Sequence, residues 1–156
     1  MKTYLSWDYV EESTESLAQT LVTDYSDKLN DFVILAPYYG GWPVATMTVN
    51  AIRNLTSTEF KPPAINETDL IRLNLLSLFN SQRYLVIFDD VLDTGKVINN
   101  IIWRIDHECR SFINTDKIHE RIIVATIGRK RKCEWPCRHI FNTEWKLDEW
   151  IVFPWE

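Results

Sequence analysis

Apolar positions change their spacing several times along the chain, and each change marks an element. Val10, Thr14, Leu17, Leu21 and Tyr25 recur every three or four residues, the period of one helix face, and Ser6 or Asp8 can cap its start. Phe32-Val33-Ile34-Leu35-Ala36 is an unbroken apolar run stopped by Pro37, which predicts a strand buried on both faces. After Gly40-Gly41 the helical period returns at Val44, Thr48, Ala51, Ile52 and Leu55. Residues 56–66, with Pro62-Pro63, predict irregular chain, and Leu70, Leu73, Leu76, Ser77 and Asn80 predict a helix over 67–82. Tyr84 to Phe88 reads as a second doubly buried strand. Ile98, Ile101, Ile102, Ile105, Cys109 and Phe112 mark a long helix, and Arg121 to Ile127 a third strand. Strand and helix in alternation predict an α/β fold, with a doubly wound, mainly parallel sheet and helices on both faces.

Ligands of such sheets bind beyond the carboxyl ends of the strands. Composition makes that region more informative, because the 156 residues include only four glycines. Gly40, Gly41, Gly95 and Gly128 all fall within a few residues of a predicted strand end, where a missing side chain would let backbone approach a phosphate. Asp89 to Val97 adds chemistry. Two adjacent carboxylates, then Asp93-Thr94-Gly95, lead into a helix start whose free N–H groups and dipole suit a phosphate. Asp89 and Asp90 repel a bare phosphate but accept from sugar hydroxyls or hold Mg²⁺. A sugar phosphate with a metal satisfies both halves; an acidic turn with an Asp cap is the plainer alternative.

Charge narrows the partners. Lys and Arg total 17 against 22 Asp and Glu, a net charge of −5 that argues against general nucleic-acid binding. The segment from Gly128 to Arg138 is nevertheless basic, with Arg129, Lys130, Arg131, Lys132 and Arg138 against Glu134, and is suited to a small anion. No run approaches the ~20 apolar residues of a membrane span, and the start of the chain has no apolar signal core, so a cytoplasmic protein with no membrane partner is expected. Three cysteines cannot form a full disulfide framework. Cys133 and Cys137 are spaced unlike a zinc knuckle, so reduced thiols are expected there, with a local disulfide as the alternative.

Leu85-Val86-Ile87-Phe88-Asp89-Asp90-Val91-Leu92-Asp93-Thr94-Gly95-Lys96 resembles the phosphoribosyl pyrophosphate signature of the type I phosphoribosyltransferases. Ala36 to Pro43 is similar to that family's pyrophosphate loop, and Glu149-Trp150-Ile151-Val152-Phe153-Pro154-Trp155-Glu156 to the tail of its xanthine-guanine and related purine members. The resemblance covers nearly the whole chain as one domain, 1–156, with a small hood made from its two ends. It implies a purine phosphoribosyltransferase that joins a 6-oxopurine to phosphoribosyl pyrophosphate with Mg²⁺ as cofactor, usually as a homodimer. By the same resemblance, Asp89 and Asp90 would bind the ribose hydroxyls or the metal. Asp93, Thr94, Gly95, Lys96 and Val97 would wrap the 5′-phosphate, with Asp93 also the candidate general base. Tyr38, Tyr39, Gly40 and Gly41 would cradle pyrophosphate. Lys130, or Arg129 beside it, would meet the purine oxygen, while Trp150 stacks on the base and Ile151 lies beside it.

The chain departs from the family pattern in three places. Tyr39 stands where an Arg or Lys is usual, and Val97 where a Thr or Ser hydroxyl is usual. The 67–82 stretch lacks the mobile loop that closes over the reaction, leaving Lys61 and Arg72 as the obvious cations to reach a pyrophosphate. A nucleotide-binding protein without turnover is therefore the alternative, and an interaction module built on the tryptophans a third. Trp103, Trp135, Trp145 and Trp155 are expected in the core or at a dimer contact.

Overall fold

The computed structural model describes the whole chain except Glu67, Arg72, Cys133, Glu134, Trp135 and the side chain of Ile71. The expectations for Arg72, for Trp135 and for a Cys133–Cys137 pair therefore lie outside the described residues. Five parallel strands form the main sheet in the order β3 (Ala64–Ile65), β2 (Phe32–Leu35), β4 (Tyr84–Leu92), β5 (Ile122–Arg129), β6 (Arg138–Glu144). Helices α1 (Trp7–Tyr25) and α2 (Gly41–Thr56) cover one face; α3 (Leu75–Asn80), α4 (Lys96–Cys109) and α5 (Thr115–His119) cover the other. This is the doubly wound arrangement that the apolar runs predict.

β2, residues 85–88 of β4 and residues 122–125 of β5 are apolar because they serve two cores at once. Along β4, Val86 and Phe88 join the cluster under α1 and α2, while Leu85 and Ile87 join the one under α4. β5 divides in the same way, Ile123 and Ala125 to one side and Ile122 and Val124 to the other. Ser6 caps α1, its Oγ accepting from the Tyr9 N–H at 3.1 Å.

Three expectations change, the first being that 56–66 is irregular: Ala64–Ile65 pairs with β2 as β3. The helix over 67–82 is instead a 3-10 turn, Asp69–Ile71, followed by α3. The side-chain oxygen of Asn66 accepts from the N–H groups of Thr68 and Asp69, and that of Asn74 from the Ser77 N–H. Each amide competes with helical pairing and restarts the chain direction. Gly128 is not a turn but lies inside β5, paired with Val91 and Thr143. β6 has no clear apolar signal because only Ile140 in it is buried, the pattern of an edge strand. Beside the sheet, β1 (Lys2–Tyr4) pairs in parallel with β7 (Trp150–Val152), and Thr3 Oγ1 donates to Glu149 at 2.6 Å. These are the hood strands. No helix among the described residues is long and apolar enough to cross a membrane.

From β2 the chain crosses to β3 on one side; from β4 it crosses to β5 on the other. The strand order therefore reverses between β2 and β4, and a crevice opens past their carboxyl ends.

Candidate functional site

Two loops border that crevice. The first, Ala36 to Gly40, follows β2; the second, Asp93 to Gly95, joins β4 to α4. In the second loop Gly95 has φ +74°, the left-handed conformation that glycine adopts without penalty, and it caps α4. The Lys96 N–H reaches Thr94 Oγ1 at 3.3 Å, while the Val97 and Ile98 N–H groups have no partner among the described residues. This helix start is a ready anion site. Val97 is itself 44% exposed, so the rim of this helix start is an apolar surface.

The ladder between β4 and β5 runs past both strands' bulk, with the Lys130 N–H donating to the Leu92 carbonyl at 2.9 Å. That register sets Lys130 beside Asp93, Nζ to Oδ2 at 3.2 Å. The lysine side chain is only 6% exposed while Asp93 is 49% exposed, so the pair presents a carboxylate outward with a buried cation behind it. Adjacent strand residues face opposite ways, and Arg129 accordingly turns elsewhere. Its guanidinium lies 3.9 Å from the Phe141 ring centroid and bonds Glu144 at 2.9 Å. Of the two expected cations, Lys130 alone meets Asp93.

The same alternation separates Asp89 from Asp90, although both belong to β4. Asp90 points to the α2 side, where a Cβ on Gly40 would overlap its carboxylate. It also accepts from the Val91 N–H at 2.7 Å, and the Trp155 side chain adds to that donor in favouring the charged form. Burial, with Glu156 nearby, raises its pKa to about 6 despite these donors. Asp89 lies on the opposite side of the strand and accepts from the Asp90 N–H at 3.0 Å. The carboxylates thus do not converge from one face.

The first loop is shaped by β4. A Cβ on Gly41 would lie 2.6 Å from the Phe88 carbonyl oxygen, so the start of α2 rests directly on the strand backbone. Tyr38 is half exposed, and Tyr39 is 91% exposed at φ +70°, a left-handed conformation uncommon for a side-chain-bearing residue. The scarce glycines each meet a demand within the protein itself. Gly40, Gly41 and Gly128 make room for Asp90, the Phe88 carbonyl and the Trp145 ring respectively; Gly95 answers a backbone demand.

Trp150 is 62% exposed on β7, while the Ile151 side chain is in the core at 6%. Only the backbone of Ile151 is available to a ligand. Trp145 and Trp155 are partly buried as expected, but Trp103 lies on the outside of α4, 58% exposed and stacked on His107. Lys61 is tied to Glu59 outside this site. Among the described residues no group of three or more His, Cys, Asp or Glu is placed to hold a metal.

No family model matches the sequence, and no curated protein matches it. Solved structures do match, over nearly the full chain. The purine phosphoribosyltransferase of Pyrococcus horikoshii is 23% identical with a TM-score of 0.61, covering 99% of this chain and 94% of its own. The xanthine-guanine-hypoxanthine phosphoribosyltransferase of Helicobacter pylori is 10% identical with a TM-score of 0.62, over 99% and 92%. The chain has the type I phosphoribosyltransferase fold. A hypothetical protein from Neisseria gonorrhoeae with bound ppGpp shares that fold at 15% identity, with a TM-score of 0.66 over 100% of this chain and 89% of its own. The two loops and the Lys130–Asp93 pair lie at the carboxyl ends of β2, β4 and β5.

Proposed function

We propose that the protein is a purine phosphoribosyltransferase acting on a 6-oxopurine and phosphoribosyl pyrophosphate. The observation that carries this reading is the Lys130–Asp93 pair beside the Gly95-capped start of α4. The α4 N–H groups take the 5′-phosphate, and one turn away Asp93 takes a proton from the purine imidazole nitrogen as that nitrogen attacks C1′ of the ribose. The C1′–oxygen bond breaks through an oxocarbenium-like transition state and pyrophosphate leaves. A lysine ammonium has three donors; one is spent on Asp93, and another meets the purine 6-oxo group. Trp150 offers an exposed ring for stacking. No covalent intermediate is required, because positioning and electrostatic stabilisation of the leaving group carry the rate.

Magnesium is bound through one or two carboxylates together with substrate phosphates, keeping several waters, rather than in a protein cage. The hard oxygens of Asp89 and Asp90 fit such an ion arriving with phosphoribosyl pyrophosphate, and not a preformed site, since the two face apart. When bound, the ion neutralises charge on the departing pyrophosphate.

The decisive measurement is pyrophosphate release from phosphoribosyl pyrophosphate and Mg²⁺ with guanine, xanthine or hypoxanthine, for the wild type and Asp93→Asn. Release by the wild type and its near loss in the variant are expected; no release with any base rejects the enzyme reading. Exposed Tyr39, in place of a cation, favours a second reading, a nucleotide binder without turnover, and the ppGpp held by a structural neighbour is consistent with it. Adding a charge-assisted contact is worth about 1.5–3 kcal/mol, roughly 10- to 150-fold if felt in the transition state. Tyr39→Arg should therefore raise a weak rate, whereas saturable nucleotide binding with no turnover in either form identifies the binder.

A further inference from the structure

A second concavity lies at the amino ends of the strands. β4 has nine residues, so its first residue stands roughly 25 Å from its last at about 3.3 Å per step. Beyond that first residue, the turn before β4, the segment after α4 and the helix α5 line a cavity of about 480 Å³. Small-molecule clefts span about 300–1,000 Å³. The apolar part of the lining includes Phe79, which is buried, and Phe112, which is 73% exposed and leaves an aromatic ring open to a ligand. The charged part is Lys117, Glu120 and Arg121. Arg121 is held in place: its guanidinium donates to the Gln82 carbonyl and lies 5.1 Å from the Tyr84 ring centroid. Gln82, at φ +60°, in turn donates its N–H to the Phe79 carbonyl at 3.2 Å. Lys117 and Glu120 form no ion pair among the described residues.

We propose that this cavity is a second ligand site, taking a nucleoside monophosphate with its base on Phe112 and its phosphate between Lys117 and Arg121. The two cations are four residues apart across the end of α5, the spacing that sets side chains on one side of a helix. Like charges so placed repel each other, and a phosphate between them removes that repulsion. The guanidinium fork adds paired bonds to phosphate oxygens, and one donor alone is spent on Gln82. Glu120 accepts only, so it meets sugar hydroxyls or a base amino group and turns the phosphate towards the cations. An aromatic side chain accepts the face of any base. A bare phosphate leaves Phe112 and Glu120 unused, and an uncharged ring leaves both cations unused. The cavity shares no residue with the crevice, and this proposal stands whether or not the crevice turns over phosphoribosyl pyrophosphate.

Amide NMR spectra of the full chain, titrated with guanosine monophosphate, read both ends of the sheet at once. Saturable shifts are expected at residues 79–82 and 112–121, separate from any at 93–98. Phe112→Ala and Lys117→Gln alter exposed side chains outside the core. Each should weaken the first set about tenfold, the scale of one stacking or charge-assisted contact, and leave the second set and pyrophosphate release unchanged. No shifts at 79–82 and 112–121 with about 10 mM nucleotide overturns the proposal. So does an affinity that neither variant changes, and so does equal affinity for inorganic phosphate, which has no base to stack. Shifts at 112–121 without any at 93–98 uphold this site and count against the phosphate site at α4. Should one variant fail to fold, the other decides on the same terms.

Discussion

Two titrating side chains of the sheet oppose one another in acid. Burial raises Asp90 to about 6, so the folded protein holds this proton more tightly than the unfolded chain does. Its contribution to stability is present below the ordinary carboxyl value and is lost as the pH rises to about 6. His139 behaves oppositely. Burial, then the Arg129 charge, lowers it to about 4, while its Nε2 contacts Thr126 Oγ1 at 3.0 Å. Its contribution is present above about 6.5 and lost as the pH falls towards 4. Melting curves across pH 4–7 should therefore diverge in opposite senses: Asp90→Asn gains on the wild type as the pH rises, and His139→Gln gains as it falls. Parallel curves would contradict both assignments. At Gly128 the issue is space, since a Cβ would enter the Trp145 ring. Overpacking of this kind costs about 1–3 kcal/mol, so Gly128→Ala should lower the urea midpoint without changing the slope. The need for glycine was legible at these positions, but the neighbour that imposes it was not, because Trp145 arrives from 17 residues downstream.

At the scale of elements, periodicity identified those with one strongly apolar face. α4 follows its Ile98, Ile101, Ile102, Ile105 and Cys109 stripe, all of it buried. Ile102→Ala should cost about 2–5 kcal/mol, the usual loss for a buried aliphatic side chain. Its neighbour Trp103→Ala, on the outer surface, should stay within about 0.5 kcal/mol. Chemical denaturation of both variants checks this, and equal losses would contradict the orientation of α4. The elements that were not legible are those stabilised from one side or by few residues. β6 buries only Ile140 and is fastened to α1 by polar groups: Asn142 Nδ2 donates to the Ser13 carbonyl at 2.7 Å, and Arg138 bonds Asp24 at 2.8 Å. β1 and β7, three residues each, depend on one another. A Leu-rich pattern over 67–82 overstated a helix because two asparagine side chains divide it.

For the molecule as a whole, the crevice draws on β2, β4 and β5, the central strands of the sheet. A ligand seated across their ends binds only the folded chain and stabilises all of it. Guanosine monophosphate, or phosphoribosyl pyrophosphate with Mg²⁺, should raise the melting temperature in proportion to the logarithm of its concentration. At 100 times the dissociation constant the gain is about 2.7 kcal/mol. A melting temperature unmoved by either ligand at millimolar concentration would contradict a phosphate site at α4.

By itself the sequence determined the alternation of buried strands and amphipathic helices, and so the parallel sheet and the strand ends where chemistry collects. It also determined the Asp89–Lys96 segment, whose residue types are contiguous and whose resemblance is local. Only the tertiary structure decided which side chains meet. Lys130 rather than Arg129 pairs with Asp93, because the β4–β5 register and strand alternation choose between two neighbouring cations. Asp90 turns to Gly40 while Asp89 faces away, for the same reason. Hydrophobic spacing is a property of adjacent residues and can be read along the chain. Register, facing and contact between residues tens of positions apart are set only when the strands lie side by side.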